Sequence, residues 1–109
     1  MIKNIIKWFN DYILGEGILK NKKGKIVFVL YDGETTWYLG DSEGQVENYH
    51  RYNSGIEEDE IEYIRPMLIK EARGKYITDM DERTKMSFMD AIEREFHGEK
   101  VITLACTGV

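Results

Sequence analysis

Cysteine, proline and histidine are nearly missing from this chain of 109 residues, which holds only Cys106, Pro66, His50 and His97 of these types. A single cysteine excludes an intramolecular disulfide framework, and a reducing cytoplasm is the simplest setting for such a chain. The sequence has no His-x-His, Cys-x-x-Cys or His-Glu-x-x-His spacing, so a zinc site would have to be assembled from remote residues. Asp79-x-Asp81-Glu82 resembles the start of a calcium loop but lacks the glycine and the distal glutamate. Neither a metal nor another cofactor is expected. No apolar run is long enough to cross a bilayer. Met1 to Phe9 mixes cations with apolar residues, but Asn10 and Asp11 cut it short and no small-residue cleavage site follows. It reads as neither a signal peptide nor a membrane span. Internal repeats and low-complexity tracts are not evident.

What the chain does have is acid. The net charge is −5, and Lys and Arg are scattered except at Lys20, Lys22, Lys23 and Lys25. Such a field disfavours direct binding to nucleic acid or an anionic membrane and favours a basic partner. An apolar fraction of 42% beside a charged fraction of 32% is globular rather than disordered. At this length a single domain over residues 1–109 is expected, with one modest core.

Hydrophobic periodicity predicts the elements. Ile2, Ile5, Ile6, Phe9 and Ile13 recur at helical spacing, with stops at Gly15 and Gly17. Asn21 to Gly24 reads as a turn between two strands. Ile26 to Tyr31 is apolar at every position, so it should be a central strand covered on both faces. Asp32-Gly33 predicts a tight turn, with Thr35 to Leu39 returning antiparallel. Asp41 to Gly44 reads as a second turn, and Gln45 to Tyr52 as an edge strand or irregular loop. Ser54-Gly55-Ile56-Glu57 matches a capping box and predicts a helix from Ile56 that ends near Pro66. A further helical stretch is expected over Met67–Ala72. Asp79-Met80-Asp81-Glu82 predicts another helix, with Met86, Met89, Ile92 and Phe96 on its inner face. Val101 to Cys106 should be a strand inside the sheet, beside Ile26–Tyr31. The expected fold is α+β, a mixed or mostly antiparallel sheet of four to five strands with three to four helices, in the order α-β-β-β-(β)-α-α-β. Two strands without a polar face require helices on both faces of the sheet or a partner subunit, so a low-order homo-oligomer is compatible with this reading.

Two groups of residues stand out as candidates for function. Trp37, Tyr38, Tyr49, His50, Arg51 and Tyr52 include the residue types enriched at binding hot spots. The same aromatics could equally fill the core and cross-pair on the sheet. The second group is the acidic run Glu57-Glu58-Asp59-Glu60-Ile61-Glu62. On the expected helix Glu57 serves the capping box and acids offset the dipole, which leaves Glu58, Asp59 and Glu62 on the outer face for lysines and arginines of a partner. A charge run of this kind is more often a plain solvated face. Catalysis by Cys106 would require His50 or His97 to fold beside it, and Cys in an apolar strand is usually inert. The glycines form no phosphate-binding pattern. The expected function is a non-enzymatic cytosolic protein that acts by occupying a basic protein partner, of the inhibitor, immunity or phage anti-defence type. The alternative is a module for a small ligand or nucleotide, with an aromatic-lined pocket that two subunits could share.

Overall fold

The computed structural model describes residues 17–78 and 85–107. The helices expected to begin at Ile2 and Asp79 fall wholly or in part on residues outside that range. Two strands open the described chain: β1 (Ile26–Tyr31) and β2 (Thr35–Gly40). A twelve-residue helix, α1 (Glu43–Ser54), follows, then a short 3-10 turn at Glu58–Glu60 and strand β3 (Tyr63–Pro66). Helix α2 (Ile69–Ala72), strands β4 (Tyr76–Thr78) and β5 (Lys85–Ser87), helix α3 (Phe88–Ala91) and strand β6 (Ile102–Cys106) complete the order. The fold is α+β, with a four-stranded antiparallel sheet ordered β3-β1-β2-β6 and a separate two-stranded sheet of β4 and β5.

β1 lies inside the sheet, as its unbroken apolar run requires, and residues 27 to 30 are all buried. Strand alternation sends Val27 and Val29 to one face and Phe28 and Leu30 to the other. The first face packs with Leu39, Leu104, Met67 and Ala72, and with Phe88 and Ile92 around α3. The second packs with Tyr38 and Val101 against Val46 of α1. Helices therefore cover both faces within one chain.

Four expectations are corrected. Residues 45 to 52 are helical, neither strand nor loop. Ser42 is the N-cap, its hydroxyl accepting from Gln45 N at 3.2 Å, while Gln45 Oε1 accepts from Asp41 N at 2.8 Å. Ser42-x-x-Gln45 is thus a working helix-start signal, and Val46, Tyr49, His50 and Asn53 follow it at helical spacing. Ser54 ends this helix instead of starting the next, because Gly55 adopts the left-handed conformation (φ 71°) and donates to Arg51 O. Glycine reaches that conformation without steric cost. With the capping box spent, Glu57 precedes only the three-residue 3-10 turn, and Tyr63–Pro66 pairs with β1 as an edge strand. An edge position tolerates Pro66.

β6 pairs with β2 and forms the other edge of the sheet, rather than lying beside β1. Its burial is accordingly uneven, with Leu104 buried and Thr103 exposed. Finally, Lys85–Ser87 is a strand, and the helix after it is only Phe88–Ala91, capped by Ser87 accepting from Asp90 N. Met86 and Met89 are exposed, while Ile92 is buried and Phe96 packs on the core. These corrections change the element order among the described residues but leave the α+β class intact.

Candidate functional site

The aromatic group does not form one surface. Trp37 and Tyr38 are neighbours on β2 and therefore face opposite sides of the sheet. Trp37 meets Phe88 edge-on at 6.2 Å, with Lys75 Nζ over its ring at 5.6 Å. Tyr38 points towards α1, where Tyr49 stands edge-on to it at 5.8 Å. Only Tyr52 projects fully, 89% exposed.

Tyr38 and His50 make a buried polar relay with Asp32. His50 Nε2 lies 2.7 Å from Asp32 Oδ2, and Tyr38 Oη lies 2.5 Å from His50 Nδ1. A carboxylate only accepts, so Nε2 of a neutral imidazole carries the proton and donates it to Asp32. Nδ1 is then left to accept from the Tyr38 hydroxyl. Three elements converge here: Tyr38 from β2, His50 from the inner face of α1, and Asp32 from the turn between β1 and β2. The same Asp32 closes that turn, since its Oδ1 accepts from Glu34 N at 3.3 Å. Burial pushes the Tyr38 hydroxyl up to about 12, with Tyr49, Asp32 and Cys106 adding to the rise. Tyr38 is therefore a stable neutral donor and not an activated nucleophile.

The relay lies along an open cleft of about 640 Å³, whose wall also includes Thr36, Ser54, Thr103 and Cys106. A register irregularity builds that wall. Tyr38 pairs with Thr103 and Trp37 with Ala105, so β6 carries one extra residue at this point. The bulge brings Thr103 and Cys106, three residues apart, to the same face as Thr36 and Tyr38. Cys106 and His50 thus share a cleft, but both imidazole nitrogens are engaged by Asp32 and Tyr38. In this arrangement neither is left to take a proton from the thiol.

A second feature lies where α1 meets the segment 58–64. One cleft, of about 390 Å³, is lined by Glu43, Glu47 and Glu58 over Ile61, Tyr63 and Ile64. An adjacent cleft is lined by Arg51, Glu57, Glu58 and Asp59. Glu58 belongs to both, so the acids of α1 and of the 3-10 turn form one continuous surface. Among the described residues Arg51 is the only cation in either lining, and its Nη2 stands 3.9 Å from Glu57 Oε2. Glu62 is exposed just before β3, its backbone N–H donating to Tyr31 O. Tyr63 is 43% exposed and stacks on Tyr31 at 5.6 Å.

Of the residues singled out in the sequence, Glu58, Asp59 and Arg51 meet on this acidic surface, and Tyr38 and His50 meet in the relay. Trp37 belongs to the opposite face of the sheet. Sequence reasoning missed the pairing of Glu43 and Glu47 with the acidic run, because it did not read α1 as a helix. It reads Asp32 as a turn residue in acidic surroundings and not as the partner of His50. A histidine four residues after Val46, on what Ser42-x-x-Gln45 marks as a helix, was the signal for an inward imidazole. No helix among the described residues is long and apolar enough to cross a membrane. No family model, curated protein or solved structure matches this chain.

Proposed function

We propose that this protein acts without catalysis, by occupying a partner protein through the acidic surface of α1 and the 3-10 turn. The observation that carries this reading is the continuity of Glu43, Glu47, Glu57, Glu58 and Asp59 across two clefts that meet at Glu58. The first cleft joins carboxylates to an apolar floor of Ile61, Ile64 and Tyr63. That combination suits a lysine or arginine, whose aliphatic stem packs on apolar surface while its charged head meets carboxylates. Tyr52, exposed beside Arg51, adds an aromatic anchor on the same helix. The partner is thus a protein with a basic surface, and nucleic acid is disfavoured by the sign of the charge. Inhibitors, immunity proteins and phage anti-defence factors of the cytoplasm work by such occupation, and the size and charge of this chain suit that class.

Charge reversal tests the reading. Glu58→Lys, Asp59→Lys and Glu62→Lys together are expected to weaken partner capture from a cell lysate by about tenfold or more and to remove its salt dependence. The melting temperature should hardly move, because all three side chains are exposed. Equal capture by the triple variant and the parent at low salt would sink the proposal.

A further inference from the structure

The two edges of the main sheet differ. On β6 the register breaks at a bulge between Thr103 and Ala105. β3 is in unbroken register over Tyr63–Pro66, and among the described residues it pairs only with β1. Met67 N donates to Val27 O at 2.8 Å, and backbone donors alternate in direction along an antiparallel strand. Tyr63 and Arg65 therefore turn their N–H groups inward to β1, while Ile64 turns both its N–H and its C=O outward. Pro66 also faces outward, where its missing N–H leaves no gap in the ladder. The free edge of β3 thus carries one complete pairing position, at Ile64.

That position opens onto the acidic surface. Ile64 packs on the cluster around Val46 and Tyr38, on the α1 side of the sheet. It also lines the cleft that holds Glu43, Glu47 and Glu58. Residues directly opposite one another in an antiparallel ladder place their side chains on the same face. A residue seated opposite Ile64 would therefore send its side chain into that cleft. Its two neighbours would point to the other face, the side of Arg65. The Arg65 guanidinium there donates to both oxygens of Glu71, at 2.7 and 2.9 Å. A basic neighbour would meet Arg65 where the nearby carboxylate is already engaged.

We propose that the partner docks as an extended segment, which pairs antiparallel with β3 at Ile64 and sends one lysine or arginine between Glu43, Glu47 and Glu58. The proposal rests on the acidic surface as a docking site and adds main-chain pairing to it. Strand pairing supplies affinity whatever the sequence, and the cleft selects the basic side chain. The segment that fits is one basic residue between uncharged neighbours, because alternation turns those neighbours towards Arg65.

An amide NMR titration of the full chain with the peptide acetyl-Thr-Val-Lys-Val-Thr-amide tests this. One comparison peptide replaces the lysine by norleucine, and another methylates the backbone nitrogen of the lysine. The parent peptide is expected to shift the amides of Ile64, Glu43, Glu47 and Glu58 in a saturable way. Methylation removes the hydrogen bond to Ile64 O and should weaken the affinity about fivefold or more. Norleucine should weaken it at least as much, and so should Glu47→Gln combined with Glu58→Gln in the protein. Equal affinity of the methylated peptide, or shifts that spare Ile64, would overturn strand pairing and leave the acidic surface as the docking site. Equal affinity of the norleucine peptide would overturn both. Absence of saturable shifts with the parent peptide would overturn the proposal, and the acidic surface would then stand or fall by charge reversal alone.

Discussion

The two faces of the sheet are sealed by different chemistry. Towards α2 and α3 the seal is apolar: Val27, Val29, Leu39, Leu104, Met67, Phe88 and Ile92 interlock. The buried polar side chain on that side, Asn21, serves the backbone, its Oδ1 accepting from Lys23 N and Lys25 N while Nδ2 donates to Ile92 O. Towards α1 the seal includes Tyr38 and His50, both buried, with Asp32 closing the chain of hydrogen bonds. Apolar packing is non-directional and degrades gradually when atoms are removed. A buried relay is complete only while all its members are present, because each unpaired group then carries its desolvation cost.

The largest expected effect tests whether the faces are equal where both are apolar. Leu39→Ala on one face and Leu30→Ala on the other, each 0% exposed in the parent, should both lose about 3 kcal/mol. Urea midpoints measure this, and a loss below about 1 kcal/mol for either would mean that its face is not closely packed. A smaller effect separates the faces. His50→Ala should cost about 2 kcal/mol, because it leaves Asp32 and the Tyr38 hydroxyl without their partner. Restoring part of that loss by adding Tyr38→Phe would identify the unpaired hydroxyl as a source of the cost.

The smallest effect is a matter of pH. The Tyr38 hydroxyl titrates higher in the folded chain than in the unfolded one, so its contribution is complete below the unfolded value near 10. That contribution is lost as pH rises towards about 12. Thermal melts across that alkaline window should therefore fall more steeply for the parent than for Tyr38→Phe, which costs about 1 kcal/mol at neutral pH. Parallel slopes would show that Tyr38 does not hold its proton in the fold. The acid side has its own counterpart, since the hydrogen bond from Arg65 holds the Glu71 carboxyl below its usual range. That pair is partly exposed and contributes little.

Much of the scaffold was legible in the sequence. The run Ile26–Tyr31, the Asp32-Gly33 turn and the returning strand depend on local pattern and turn chemistry, and they stand where periodicity places them. Overlapping signals were harder to read. Ser54 and Gly55 could start one helix or end another, and the earlier Ser42-x-x-Gln45 decides between them only once α1 has formed. The acidic run then loses its helix and becomes a surface by facing Glu43 and Glu47.

Local side-chain pattern is enough to establish the α+β class, the central position of β1 and the excess of acid, because each depends on residues near one another in the chain. Which carboxylates share a surface, and that His50 lies between Asp32 and Tyr38, are matters of tertiary structure alone. So is the meeting of Thr103 and Cys106 on one wall. The bulge in β6 reverses the strand parity that alternation would assign, and the relay joins residues 12 and 18 positions apart. Such contacts exist only after strands and helix have packed, since loop closure and burial, not local preference, bring those groups together.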